Sequence, residues 1–92
     1  MTIHIKLWGQ LRNVAGVEDI KLTLDDSATV TDAVLELAND ADDKLKALII
    51  NEDGDCRQST LVFINDDQIS WNEPCVLSDQ AEITLMTPIA GG

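Results

Sequence analysis

The first part of the chain alternates between apolar and polar side chains. Apolar residues occupy every second position from Ile3 to Leu7, which is the period of a strand that packs one face on a core. By the same alternation, Trp8 is expected on the opposite face of that strand. A break over residues 9–16 contains two glycines, and a second alternating stretch follows at residues 20–24. The two stretches are predicted to form a hairpin of strands.

The period then changes to that of a helix. Five apolar residues follow the spacing i, i+3, i+4, i+7, i+8: Val30, Ala33, Val34, Leu37 and Ala38. Thr29 is the predicted N-cap, and Asp32 lies in the first turn, where the helix dipole favours a negative charge. Residues 39–43, "NDADD", are expected to end or interrupt this helix. For residues 44–50 the pattern leaves a short helical turn and the start of a strand both open.

Turn signals and apolar stretches alternate in the second half of the chain. Asp53-Gly54 predicts a turn, and "STLVFI" after it predicts a strand that is buried on much of both faces. "QISW" is expected to be a short strand and "EITLMT" the last one. This order of elements predicts an α+β fold, a mixed sheet with one main helix packed on one face. Pairing of the last strand parallel to the first would place it in the middle of the sheet.

Size and charge narrow the classes of function. Ninety-two residues fit one domain, and 17 acidic against 6 basic residues give a formal net charge of −11. Such a charge repels nucleic acid and anionic membrane surfaces, and it favours a partner with a basic surface. The sequence has neither a secretion signal nor the ~20 consecutive apolar residues that cross a bilayer, so a cytoplasmic location is expected.

The internal residues make a poor active site. His4 has no orienting partner of the kind that a general base needs. Cys56 has acidic neighbours, Asp53 and Asp55, which would raise the pKa of its thiol, and Cys75 is expected to be a small buried hydrophobe. The sequence shows no metal-ligand cluster and no Ser-His-Asp set. We therefore expect no enzyme activity of its own, no metal and no bound cofactor.

The candidate chemistry lies in the last five residues. Pro88 has no N–H to donate, so strand pairing should stop there, leaving a single domain over residues 1–87 and an extended, flexible tail over 88–92. Five extended residues span about 17 Å. Gly91 and Gly92 have no side chains, so they can pass a narrow channel and present a carboxylate to a nucleotide. The interpretation is a reactive terminal carboxylate, and the alternative is a frayed terminus.

The alternation of side chains along the first and last strands also predicts a binding surface. If the apolar positions of the first and last strands face the helix, Trp8 and Met86 lie on the opposite face, near the point where the tail leaves. Because aromatic and Met side chains are enriched at protein interfaces, the two residues are predicted to form a docking patch. The alternative is that Trp8 folds over an edge of the core.

Four segments resemble the ubiquitin-like sulfur carriers of the MoaD/ThiS class, with the small subunit of molybdopterin synthase as the nearest type. They are "IHIKLWGQLRNVAG", "LDDSATVTDAVLELA", "VFIND" and "SDQAEITLMTPIAGG". The resemblance implies the β-grasp (ubiquitin-like) fold. It also implies that a ubiquitin-activating-type adenylyltransferase uses ATP to adenylate Gly92, which then becomes a thiocarboxylate that delivers sulfur. Pro88, Ile89, Ala90 and Gly91 would contact that partner, with Ala90 and Gly91 in its channel.

The acceptor of the sulfur stays open at this stage. The type of carrier implies a large subunit of molybdopterin synthase, and so molybdopterin (molybdenum or tungsten cofactor) biosynthesis as part of a synthase complex. A carrier for thiamin, cysteine or homocysteine synthesis is one alternative. Two others are a ubiquitin-like modifier joined to lysines of other proteins and an interaction domain whose tail has no chemistry.

Overall fold

The computed structural model describes residues 1–57, 59–71 and 75–87. Within them it has strands β1 (Thr2–Trp8), β2 (Asp19–Thr23), β3 (Leu61–Ile64), β4 (Asp67–Ile69) and β5 (Glu82–Met86), and helices α1 (Gln10–Ala15), α2 (Val30–Asp40) and α3 (Asp43–Ile49). The predicted α+β class is confirmed. α2 is the longest helix, as the sequence pattern indicates.

The five described strands form one mixed sheet in the order β2-β1-β5-β3-β4. β1 and β5 run parallel, with Ile5 opposite Ile83 and Leu7 opposite Leu85, and the other neighbours are antiparallel. The predicted central position of the last strand is confirmed. Both backbone edges of β5 are therefore paired, and its apolar face, Ile83 and Leu85, is buried in the core.

The core lies between one face of the sheet and the helices. Every second residue of β1 and β5 is fully buried, and the same cluster includes the apolar stripe of α2. The largest buried side chains are aliphatic, among them Ile5, Leu11 and Ile49. Because aliphatic side chains carry no polar atoms, the core is held by burial of apolar surface and close packing.

The start of α2 is closed by a capping box. The Thr29 Oγ1 atom accepts a hydrogen bond from the Asp32 N–H (3.2 Å), and the Asp32 Oδ2 atom accepts one from the Thr29 N–H (3.0 Å). Two backbone donors without helical partners are thus satisfied. The predicted cap is confirmed.

The break predicted between β1 and β2 contains a helix. The two strands pair antiparallel as expected, but residues Gln10–Ala15 between them form α1, with Leu11 fully buried. Gly9 (φ 61°) precedes this helix and Gly16 (φ 78°) ends it in the left-handed conformation. Six residues are too few to show a helical period, and the flanking glycines indicate a break. The sequence pattern therefore did not predict this helix.

The acidic stretch after α2 ends one helix and starts another. α2 ends at Asp40, and the Asp42 carboxylate accepts a hydrogen bond from the Leu45 N–H (3.0 Å) as the N-cap of α3. Of the two options open for this segment, the helix is correct. Strand character is limited to one isolated bridge, from Ile50 to Cys56.

The strand ends in the second half differ slightly from the prediction. In β3 only Val62 is fully buried and its neighbours are half-buried, so the expected burial on both faces is incomplete. Asn65 and Asp66 turn the chain with positive φ, and β4 therefore begins at Asp67, one residue before the predicted strand "QISW", and ends at Ile69. β5 ends at Met86, one residue before the predicted end.

Candidate functional site

Trp8 and Met86 lie side by side on the sheet face away from the helices. They are direct partners in the parallel pairing of β1 with β5. Trp8 is 55% exposed and Met86 is half-buried, while Leu7 and Leu85 beside them point into the core. The alternation along both strands thus leaves an aromatic ring and a thioether open to a partner at the end of the central strand.

A shallow hollow of about 280 Å³ extends from this pair across the sheet. Phe63 of β3 and Thr84 of β5 are register partners and line it, and Leu61 of β3 lies opposite Met86. These side chains add apolar area around Trp8. We call the surface made by Trp8, Met86, Phe63 and Thr84 the docking face.

Charged groups form the far side of the docking face. The Lys6 ammonium lies 3.5 Å from a carboxylate oxygen of Glu82, and both side chains remain more than two-fifths exposed. Asp66 also lines the hollow. A surface with an apolar end and a partly acidic end suits a partner that presents apolar and basic groups, because opposite charges across an interface steer association.

The tail residues of the predicted site lie outside the described residues. These are Pro88, Ile89, Ala90, Gly91 and Gly92. The docking face ends at Met86, six positions before Gly92 in the sequence. The predicted partner contacts and the predicted reactive carboxylate are therefore neighbours along the chain, and their roles stay predictions.

The internal candidates do not assemble a reactive centre among the described residues. The His4 Nε2 atom is within hydrogen-bond distance of the Gln80 side-chain oxygen (3.1 Å), a neutral partner. Cys56 is buried, and burial, reinforced by the Asp55 charge, raises the pKa of its thiol. Of the two acidic neighbours expected to raise the thiol pKa, Asp55 is confirmed and Asp53 does not contribute, while burial is the larger cause. Cys75 packs against the core but is only half-buried, so it is less buried than predicted.

Two structural features of this region escaped the sequence analysis. Phe63 joins the docking face because β3 pairs with β5 in a register that turns it to the same side as Thr84. The Asp79 carboxylate accepts a 2.7 Å hydrogen bond from the Thr2 N–H at the other end of β1, which lowers the pKa of that carboxyl group. Both depend on pairing between distant segments, for which a single sequence gives no direct signal.

Comparison with known proteins identifies the family to which this chain belongs. The sequence model of the ThiS family matches residues 5–92. The chain belongs to the ThiS family. This ThiS-family protein is 30% identical over 87 residues to small archaeal modifier protein 1 of Haloferax volcanii, covering 95% of the chain and 97% of that relative.

Solved structures agree with the family assignment. The crystal structure of the same Haloferax volcanii protein superposes with a TM-score of 0.86 at 27% identity over all of both chains. A chain in the complex of subunits 1 and 2 of the Helicobacter pylori molybdopterin-converting factor superposes with a TM-score of 0.59 at 18% identity, also over all of both chains, and shares the fold. The β-grasp, ubiquitin-like fold implied by the sequence resemblance is thus confirmed.

The family assignment fixes the coarse role of this ThiS-family protein as a small ubiquitin-like carrier or modifier. The family match runs through Gly91 and Gly92. In the described part of the chain, no helix combines the length and the apolar character needed to cross a membrane.

Proposed function

We propose that this protein is a sulfur carrier whose Gly92 carboxylate is adenylated and then converted to a thiocarboxylate that donates sulfur. The observation that carries the proposal is the family match through Gly91-Gly92, a few residues beyond an exposed Trp8–Met86 pair. The glycines leave the carboxylate accessible to a nucleotide, since they add no side-chain bulk. The pair offers a contact for the enzyme that supplies the nucleotide.

The proposed chemistry has two steps, both in the active site of a ubiquitin-activating-type adenylyltransferase. A Gly92 carboxylate oxygen attacks the α-phosphorus of ATP, and pyrophosphate leaves with the electrons of the broken P–O bond. Hydrosulfide, or a donor at the same oxidation level, then attacks the acyl carbon, and AMP leaves. The carrier itself binds no cofactor, because the partner holds the ATP. ATP-dependent sulfur transfer of this kind fits the expected cytoplasmic location.

The folded body would serve this chemistry by binding. The apolar end of the docking face buries Trp8 and Met86 against the partner, and the net charge of −11 favours a basic partner surface. Pro88 to Gly92 would then reach into the partner while the body stays outside. Five extended residues span about 17 Å, which is long enough for that arrangement.

For the acceptor, we propose the large subunit of a molybdopterin synthase, with molybdopterin biosynthesis as the pathway. Support comes from the shared fold of the Helicobacter pylori molybdopterin-converting factor complex, in which a protein of this shape assembles with a second subunit. Acceptor enzymes of thiamin, cysteine or homocysteine synthesis use the same carrier chemistry and are the alternatives.

The second candidate is a ubiquitin-like modifier, and the name of the Haloferax volcanii relative favours it. Activation of Gly92 would be identical. A lysine amine of a target protein, instead of a sulfur donor, would attack the acyl carbon, and AMP would leave. The product would be an amide joining Gly92 to the target. The two candidates therefore differ only in what takes the activated acyl group.

Intact-mass spectrometry separates the candidates. The full chain is incubated with the activating enzyme, ATP and hydrosulfide, and the carrier predicts a mass gain equal to sulfur replacing one oxygen. Lysine-linked conjugates that form in a cell lysate with ATP support the modifier. If the mass is unchanged with hydrosulfide and no conjugates form in the lysate, the protein is an interaction domain whose tail has no chemistry.

A variant that lacks Gly92 is the matched control for both reactions. It should retain the far-UV circular dichroism and thermal midpoint of the full chain, because the described core ends before the tail. It should gain no sulfur and form no conjugates. Full reactivity in this variant would contradict both covalent proposals.

A further inference from the structure

A second apolar surface lies on the helix side of the sheet, at the edge formed by β2. It is a groove of about 390 Å³ between β2 and the ends of the helices. Half-buried Ile20 and Leu22 form its strand wall, and Leu37, Ala41 and Leu45 form its helix wall. Val17, which is 49% exposed, stands at one end.

The backbone of β2 next to this groove has hydrogen-bonding groups directed outward. Leu24 and Met1 exchange both backbone hydrogen bonds, and the Leu7 N–H donates to the Glu18 carbonyl. Even-numbered residues of this strand therefore face β1. In an antiparallel pair the alternate residues face the other way, so Asp19, Lys21 and Thr23 direct their N–H and C=O groups away from the sheet.

The outward backbone groups and the groove share one edge of the molecule. β2 has β1 as its only neighbour in the five-stranded sheet of the described residues. A chain paired to β2 would lie along the rim of the groove, and every second side chain would point down between β2 and α2, because strand side chains alternate between faces. We propose that this edge is a docking site for an extended peptide that adds to the sheet as a strand.

The charges at the groove define the chemistry of that peptide. Asp40 and Asp42 line the helix side of the groove, and Asp19 lies exposed on β2, against a single lysine, Lys21. The local balance is acidic, as is the whole protein. The fitting partner is therefore a segment of another protein with alternating aliphatic residues flanked by Lys or Arg, since main-chain bonds supply affinity and side-chain pockets supply selectivity in this mode.

A second copy of the chain is a poorer occupant. Antiparallel pairing of two β2 strands about their centre would place Lys21 directly opposite Lys21 of the other copy, and like charges in that position are destabilising. It would also bring the Asp40 and Asp42 groups of two acidic proteins together. Charge complementarity thus selects a basic peptide over self-association.

The proposal is independent of the tail chemistry. The groove is on the helix side of the sheet, whereas the docking face is on the opposite side. A protein whose Gly92 has no activity would still bind the peptide, and a carrier with no peptide site would still accept sulfur. Failure of one proposal is therefore distinguishable from failure of the other.

The test is an NMR titration of the full chain with the peptide acetyl-Lys-Val-Thr-Ile-Thr-Val-Lys-amide, followed by amide hydrogen exchange in its presence. We expect exchange to slow by about tenfold or more at Lys21 and Thr23, whose N–H groups gain a partner, with little change at Ile20 and Leu22, which already pair with β1. In antiparallel pairing the two Thr residues of the peptide lie opposite the outward residues of β2 and donate to them, so a peptide with Pro in place of both Thr residues should bind at least about tenfold more weakly.

Two charge variants test the acidic side of the groove. Asp40→Lys should weaken peptide binding by about 3- to 10-fold. It should keep the fold, because a positive charge is favourable at the C-terminal end of a helix. Glu52→Lys is the matched control, since it makes the same change of charge at an exposed position in the turn after α3. It should leave the affinity within about twofold, because the charge lies away from the groove.

Any one of five results would overturn the proposal. The first is that saturating peptide leaves amide exchange at Lys21 and Thr23 unchanged. The second is that millimolar peptide causes no chemical-shift changes in the protein. The third is that the peptide-induced chemical-shift changes lie at Trp8 and Met86 instead of at the groove. The fourth is that Asp40→Lys and Glu52→Lys weaken peptide binding equally. The last is that, without peptide, amide exchange at Lys21 and Thr23 slows as the protein concentration rises, which would make a second copy the occupant.

Discussion

Replacement of Trp8 by Glu tests the docking face most directly. Trp8 is 55% exposed and lies beside Met86, so its open surface is available to a partner. The substitution removes that apolar area, and because its added negative charge is attractive to a basic partner, any weakening reports the lost apolar contact. It leaves the tail residues that carry the proposed chemistry unchanged.

The exposed fraction sets the size of the expected effect. For a Trp residue of about 250 Å² it corresponds to about 140 Å² that a partner can cover. At ~25 cal/mol per Å², complete coverage is equivalent to ~3.5 kcal/mol. Partial coverage gives about 2–3 kcal/mol, or a 30- to 160-fold weaker complex. The cost to folding should stay below about 1 kcal/mol, because the side chain lies at an open strand end.

The assay is ATP–pyrophosphate exchange catalysed by the activating enzyme, with the carrier as the varied substrate. Trp8→Glu should raise KM for the carrier and leave kcat nearly unchanged, since Gly92 still reaches the nucleotide once bound. Val76→Glu is the matched control: Val76 is 65% exposed but lies away from the docking face, next to Thr29. A KM unchanged within about threefold in a folded Trp8→Glu protein, a difference of only ~0.7 kcal/mol, would refute the reasoning.

Two further predictions concern stability. Thr29→Ala removes the capping oxygen of α2 and should lower the free energy of unfolding by about 1 kcal/mol, or 4–8 °C in the thermal midpoint, whereas Thr29→Ser should not. Asp79→Ala should lower the midpoint at pH 7, because the folded state holds the pKa of Asp79 below its unfolded value and so favours the charged form. That contribution is present above pH about 4 and disappears as the pH falls through the lowered folded pKa; a difference constant with pH would contradict the assignment.

The parts of the fold that follow from local rules were predicted from the sequence. The period of two placed Ile3, Ile5 and Leu7 on one face, and the period of 3.6 placed α2 with its cap at Thr29. Both patterns report burial of one face, which is imposed wherever a strand or helix covers a core. The central position of β5 followed from its predicted parallel pairing with β1, which leaves its other edge to β3.

Two kinds of feature were not predicted: a helix too short to show its period, and contacts that depend on the register between distant segments. Six residues of α1 hold Leu11 in the core, but they span fewer than two helical turns and the flanking glycines dominate the local pattern. The groove beside β2 needs Leu22 and Leu45 to come together from segments more than twenty residues apart. For the docking face, the position of Trp8 came from parity alone, while Phe63 joined it only through the register of β3 with β5.

The sheet therefore has two surfaces with similar charge and different shapes. Asp66 and Glu82 border the docking face, and Asp40 and Asp42 border the groove, so a net charge of −11 attracts basic partners to both. Charge cannot separate the two partners, because the screened attraction extends only about 8–10 Å in physiological salt and depends little on shape. Selection must come from contact geometry: an open aromatic ring at the end of β1 suits a broad protein surface, whereas an exposed strand edge above an apolar groove suits one extended chain.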